Sequence, residues 1–134
     1  MGQQWIWAKT NKPPKKAVSK AVKEGILAQA QTFLDKHYKY QILPPPKNPK
    51  WNYVVDYFVK WRGPYLYFIA KYICPFPDAL TSDFDVAFAR LGYFSRDRFT
   101  LWARRHNDQW LVIEPNLSLE ECFKCMEKDP WFDL

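Results

Sequence analysis

The sequence predicts an α+β domain: an antiparallel meander sheet of about five strands, an N-terminal amphipathic helix packed on one face of the sheet, and a short C-terminal helix. The main observation is an uninterrupted alternation over residues 51–61. Period two is typical of a strand, because successive side chains point to opposite faces. Further apolar segments, separated by turn residues, follow residues 51–61. Apolar residues at helical spacing occur both before and after these segments. The alternating face consists of Trp51, Tyr53, Val55, Tyr57, Val59 and Trp61.

The composition is that of one globular domain spanning residues 1–134. Hydrophobic residues make up 48% of the chain and charged residues 25%, which excludes wholesale disorder. Aromatic residues reach 19%. Since each large ring buries a large area, this content favours a core rich in rings. The alternative is a surface that presents rings as stacking platforms.

The N-terminal part predicts a basic and aromatic arm at residues 1–14, followed by a helix at residues 15–39. Apolar residues recur every three or four positions along this helix, which is the pattern of a stripe that lies on a sheet. We expect the helix to cover the aromatic face of residues 51–61. Gly25, in the middle of the helix, predicts close packing over a bulky ring.

Residues 40–50 contain four prolines, which can neither continue a helix nor join a strand ladder. We expect a stiff polyproline II connector between helix and sheet. The alternative is a proline motif that a partner protein recognises.

The sheet is predicted to span residues 51–114, and Gly92 suggests a bulge or a close approach in the third strand. A helix over residues 118–128 follows, because Ser118 and Glu121 have the spacing of a capping box. The four strands predicted after the first are Tyr65–Ile73, Asp83–Tyr93, Arg98–Arg105 and Gln109–Glu114.

The net charge of +6 is unevenly distributed. Residues 1–50 carry ten lysines against two acids, whereas residues 114–134 carry two lysines against six acids. This polarity favours an anionic partner for the N-terminal segment: nucleic acid, an acidic protein or anionic lipid. The alternative is that the basic arm docks on the acidic C-terminal end, or serves solubility.

Three cysteines are too few, and odd in number, for a disulfide framework. Cys122 and Cys125 share a helix face, but a second pair at metal-ligand spacing is missing, so we expect core packing rather than a metal or redox site. No apolar stretch approaches the ~18 residues of a membrane span, and no secretory signal is recognisable. The predicted location is cytoplasmic, without membrane contact.

Catalytic signatures are weak. Asp83 and Asp85 project from one face of a strand and could hold Mg²⁺ with Glu114, as in a metal-dependent nuclease. The lysine that such nucleases carry two residues after the glutamate is replaced by Asn116. The sequence therefore predicts a non-enzymatic protein with no cofactor and no metal, and the nuclease is kept as the weaker alternative.

The basic and aromatic residues predict a small binding module for an anionic partner such as single-stranded nucleic acid. On the fourth strand, Arg98, Trp102 and Arg104 share one face, where a base could stack on the ring and the cations could contact phosphates. The alternatives are a sheet face covered by its own arginine stems, or a protein–protein interaction subunit of a larger assembly. The candidate nucleic-acid-binding residues are Lys9, Lys12, Lys15, Lys16, Lys20, Arg98, Trp102, Arg104 and Arg105.

The last forty residues resemble the tail of short bacterial proteins classed as a domain of unknown function. The sequence departs from them at Trp131 and Phe132, which stand in place of a final segment that contains Gly and Cys. The resemblance implies a bacterial or phage-like origin and a sheet-plus-helix layout, and it transfers neither an activity nor site residues. It is carried by residues 98–104, Trp110, Pro115, Ser118–Glu121 and Asp129–Pro130.

Overall fold

A computed structural model of the chain describes residues 17–105 and 107–133. Within these ranges a helix, five strands and a second helix follow one another, and each strand pairs antiparallel with its neighbour in the chain. The predicted α+β meander is therefore confirmed. No helix in these ranges has the length and apolarity needed to cross a membrane. The elements are α1 (Lys20–His37), β1 (Tyr53–Arg62), β2 (Tyr65–Ile73), β3 (Asp83–Ser95), β4 (Arg98–Arg104), β5 (Trp110–Leu117) and α2 (Leu119–Lys128), with 3₁₀ turns at Lys39–Gln41 and Pro130–Phe132.

The core lies on one side of the sheet, beneath both helices, and we call this side the inner face. Ala30 and Leu34 of α1 and Cys122 and Met126 of α2 are almost completely buried there. Burying apolar side chains of this kind is the dominant favourable contribution to folding. The strand residues that meet them include Tyr57, Val59, Leu66, Phe68, Ala70, Leu91, Leu101 and Ala103.

The predicted contact between α1 and the first strand is confirmed for the second half of that strand. Tyr57 and Val59 are buried in the same core cluster as the helix residues, and Trp61 packs against it. The indole Nε1 of Trp61 also donates a hydrogen bond to the carbonyl of Lys23, at 3.0 Å. This face of β1 therefore lies under α1.

The predicted buried face is wrong for the first half of residues 51–61. Trp51 lies outside β1 and is 80% exposed. A bulge between Val54 and Asp56 shifts the register against β2, and Val54, not Tyr53, packs against the core. A bulge adds one residue to one strand, so it reverses which face each preceding side chain occupies.

A side chain of α1 covers the edge of β1 that has no neighbouring strand. The Nε2 of Gln31 donates to the carbonyl of Tyr57 at 3.3 Å, and its Oε1 accepts from the N–H of Val59 at 3.2 Å. An edge strand otherwise presents unpaired backbone groups that could pair with another chain. Gln31 thus satisfies two of these groups as a neighbouring strand would.

The close packing predicted at Gly25 is wrong, and so is a bulge at Gly92. A Cβ on Gly25 would meet nothing within 4 Å, so Gly25 is not a close-packing residue. Gly92 pairs regularly with Tyr65 and Thr100. The bulges of β3 fall instead at Phe88 and between Tyr93 and Ser95, where one residue of β3 lies between two that pair with consecutive residues of the partner strand.

Both helices begin at serine caps. Ser19 Oγ accepts from the N–H of Val22 at 3.2 Å, so α1 begins at Lys20 and not at residue 15. The predicted arm, residues 1–14, lies outside the described residues. The capping box of α2 is confirmed: Ser118 Oγ accepts from the N–H of Glu121, and the Glu121 carboxylate accepts from the N–H of Ser118.

Candidate nucleic-acid interface

The side of the sheet opposite the helices carries many rings and cations, and we call it the outer face. Because Leu66 and Phe68 of β2 point into the core, Tyr65 and Tyr67 point away from it. Among the described residues, both helices pack on the inner face. The rings and cations of the outer face are Phe58, Lys60, Arg62, Tyr65, Tyr67, Arg90, Arg98, Trp102, Arg104 and Trp110.

Arg90 of the central strand β3 lies inside three rings of this face. Its guanidinium carbon is 4.3 Å from the ring centre of Tyr65, 4.8 Å from Trp102 and 4.6 Å from Trp110. A cation over an aromatic face is attracted by the ring quadrupole. We call these four residues the Arg90 cage. Since they come from β2, β3, β4 and β5, the cage ties four strands together on the outer face.

A groove of about 350 Å³ lies beside the cage, and we call it the outer groove. Lys60 and Arg62 of β1 line one part of it, and the rings of Tyr67 and Trp110 line another. These two rings meet edge to face at 5.7 Å. Trp110 belongs to both the cage and the groove, so the two features are continuous.

The outer groove contains charges of both signs. Arg104 pairs with Asp108 at 2.9 Å, whereas Lys60 and Arg62 have no acidic partner within 4 Å among the described residues. Asp85 also lines the groove and has no basic partner within that distance in the same ranges. In the described part of the chain, two cations without an acidic partner and one carboxylate without a basic partner therefore face the groove, and the guanidinium carbon of Arg62 lies 5.9 Å from the ring centre of Tyr67.

The candidate residues predicted from the fourth strand fall on the outer face but differ in exposure. Arg104 lines the outer groove, while Arg98 lines a separate cavity of about 290 Å³ with Thr100. Trp102 is only 6% exposed, because it is enclosed in the Arg90 cage. Its ring has too little free surface for a base to stack on, so the partly exposed Tyr67 and Trp110 are the better platforms.

The other candidate residues lie elsewhere. Arg105 is exposed in the β4–β5 connection, where its N–H donates to the carbonyl of Gln109 at 2.7 Å. Lys20 is in the first turn of α1, which packs on the inner face, so it is not brought together with Arg98 and Arg104. The remaining candidates, outside the described residues, are Lys9, Lys12, Lys15 and Lys16.

Sequence reasoning missed most of the outer face. The alternation of β1 already placed Lys60 on the side opposite Tyr57 and Val59, which was a usable signal. Segment 65–73 is almost continuously apolar, so its two faces could not be separated by hydropathy. The residues missed are Lys60, Arg62, Tyr65, Tyr67, Arg90 and Trp110.

The alternative chemistries gain no support from the geometry. Asp83 and Asp85 do lie on one face of β3, but no group of three or more metal-ligating side chains occurs among the described residues. Asp83 instead contacts Lys71 across the strand pair, at 3.7 Å. Burial raises the pKa of the Cys122 and Cys125 thiols, which keeps them protonated near neutral pH and suits core packing.

The family model for DUF3024, a domain of unknown function, matches residues 18–132. The chain belongs to the DUF3024 family. The match extends the resemblance seen at residues 98–130 to α1 and to the whole sheet. Searches of curated proteins and of solved structures gave no match. The DUF3024 description names no activity.

Proposed function

We propose that this DUF3024 protein is a small non-enzymatic binding module that holds single-stranded nucleic acid against the outer face of its sheet. The supporting observation is the outer groove, where unpaired cations and partly exposed rings meet on one rigid surface. Single-stranded nucleic acid is commonly bound by this combination, since bases stack on rings while cations track the phosphates. A duplex hides the faces of its bases and would gain less from the rings.

In the proposed complex, Lys60 and Arg62 contact phosphates, and Tyr67 and Trp110 stack with bases. The two cations are two residues apart on the edge strand β1, whereas the rings belong to β2 and to the other edge strand, β5. Asp85 repels phosphate, but its carboxylate can accept hydrogen bonds from base amino groups or a ribose 2′-hydroxyl. The sugar–phosphate backbone of the nucleic acid should therefore enter the groove at β1 and cross toward the middle of the sheet, with bases stacked on Tyr67 and Trp110.

The test measures binding of a labelled single-stranded oligonucleotide of about 12 nucleotides as a function of salt, from about 50 to 200 mM. Replacing Lys60 and Arg62 together by Gln should weaken binding and lower the magnitude of the salt slope by about 1.4, because each phosphate contact contributes about 0.7. Lys36→Gln is the matched control, since Lys36 is exposed on α1, in the helical layer. Absent binding by the wild type at the lowest salt would reject the proposal.

The lysines of residues 9–20 remain part of the proposal as additional, sequence-independent phosphate contacts. A variant with Lys9, Lys12, Lys15 and Lys16 changed to Gln separates their contribution from that of the groove. We expect it to lower the salt slope without changing the preference for single strands. Loss of that preference instead would assign recognition to the arm.

A second candidate function, a protein–protein interaction subunit, is favoured by the connector between α1 and β1. Tyr40, Leu43 and Trp51 are 74%, 80% and 80% exposed there, around the proline run. Proline-rich segments with exposed apolar side chains are recognised by grooves of partner proteins. A complex that survives nuclease treatment and is lost in Leu43→Ser would support this candidate.

The three free cysteines favour a reducing compartment, and we propose a bacterial cytoplasmic location.

A further inference from the structure

The Arg90 cage has an unusual charge balance. Arg90 has no acidic partner within 4 Å among the described residues, although its guanidinium is enclosed by the rings of Tyr65, Trp102 and Trp110. Its Nε is buried and has no hydrogen-bond partner. Buried charged and polar groups are normally paired, because removing them from water is costly. The rings offset part of this cost but accept no strong hydrogen bond.

The position of Arg90 connects it to the outer groove. Trp110 contacts the guanidinium of Arg90 and also lines the groove. Arg90 as a residue keeps partial exposure, and because its Nε is buried, we assign the contact with a ligand to its terminal nitrogens. A base on the groove side of Trp110 would bring its own phosphate next to this cation. Arginine is well suited to such a contact, since its planar fork matches the geometry of phosphate oxygens.

We propose that Arg90 is a phosphate subsite at the centre of the outer face: the aromatic cage orients the guanidinium, and its terminal N–H groups bind a phosphodiester of the single strand. This inference rests on the proposed function and adds the residue that positions the single-stranded nucleic acid across the β-sheet. A guanidinium held by three rings has already lost its side-chain freedom. Binding a phosphate there therefore requires less ordering than binding one with a surface lysine.

The competing explanation is that Arg90 only packs the cage. Two substitutions separate these roles. Arg90→Met fills much of the same space without charge, whereas Arg90→Lys keeps a cation over the rings but loses the planar fork. A packing role predicts altered stability with an unchanged salt slope. A phosphate subsite predicts a lower slope in Arg90→Met and a restored slope with incomplete affinity in Arg90→Lys.

The experiment repeats the oligonucleotide titration with both variants. For Arg90→Met we expect about tenfold weaker binding and a salt slope smaller by about 0.7. Lys36→Gln again serves as the control in the helical layer. In parallel, inorganic pyrophosphate is added to the wild type, and the NMR signal of the Arg90 Nε–H, assigned in the wild type through its bonds to the Arg90 side-chain carbons, is followed. We expect this signal to shift with pyrophosphate.

The outcomes distinguish the two proposals. If the wild type binds the oligonucleotide and Arg90→Met keeps its slope, the subsite is rejected while the binding function stands. If the wild type does not bind the oligonucleotide at all, the proposed function is rejected. Single-stranded nucleic acid is then also rejected as the ligand of Arg90. An Arg90 signal that pyrophosphate leaves unmoved would overturn the subsite even if both variants misfolded.

Discussion

Replacing Gln31 by Met tests whether the α1 side chain stabilises the edge of the sheet. Met has a similar length and helix propensity, so the substitution removes the amide and little else. It deletes two hydrogen bonds at part-buried positions, one to the carbonyl of Tyr57 and one from the N–H of Val59. It also deletes an exposed one to Asp35 Oδ1 at 3.1 Å, which water largely replaces. At about 1 kcal/mol for each part-buried bond, the free energy of unfolding should fall by about 2 kcal/mol.

The assay is urea unfolding followed by tryptophan fluorescence, with Gln29→Met as the matched control. Gln29 is exposed on the same helix, and its amide donates to the carbonyl of Gly25 at 3.4 Å. With a slope of about 2 kcal/mol per M, Gln31→Met should lower the midpoint by about 1 M and the control by far less. The amide of Val59 should also exchange faster with solvent. Equal midpoints for the two variants would refute the edge-capping argument.

Three further predictions concern two glycines and the N-cap of α2. Gly25→Ala should raise the free energy of unfolding by about 0.5 to 1 kcal/mol, because a Cβ there meets nothing and alanine favours the helix; the same urea assay checks it, and a destabilised variant would contradict it. As a counterpart, Gly63→Ala should destabilise, since Gly63 has a φ of +57°. The hydrogen bond from the Ser118 N–H lowers the pKa of Glu121. The stability that Glu121 contributes should therefore be complete above the ordinary pKa of glutamate and lost as pH falls through its lower folded value. In Glu121→Gln this loss on acidification should be absent from urea unfolding measured over the acid range, and an identical pH profile in both proteins would count against the capping role.

The sequence predicted the elements whose signals are local. The predicted second strand, Tyr65–Ile73, coincides with β2, and the capping box at Ser118 marks the start of α2. A cap requires one side chain and a backbone N–H three residues away, so four consecutive residues contain the whole interaction. The strand order also followed, because short turns join antiparallel neighbours.

Local sequence signals could not predict the register of the sheet. The bulges near Val54 and at Phe88 depend on which residue of the neighbouring strand each one faces. The error at Trp51 and Tyr53 has this origin, because alternation alone was continued through a bulge that reverses the faces. The end of β5 was also missed: the strand continues through Pro115, which an edge strand tolerates where no ladder hydrogen bond is needed.

The amino-acid sequence by itself determined the fold class, the order of the strands and the shared face of Arg98, Trp102 and Arg104, since each depends on the spacing of neighbouring side chains along one segment. Only the tertiary structure decided that Trp102 is enclosed, that Tyr67 and Trp110 border a groove, and that Arg90 lies among three rings. These residues come from strands that are far apart in the chain, and their contacts exist only once four strands have paired in one register.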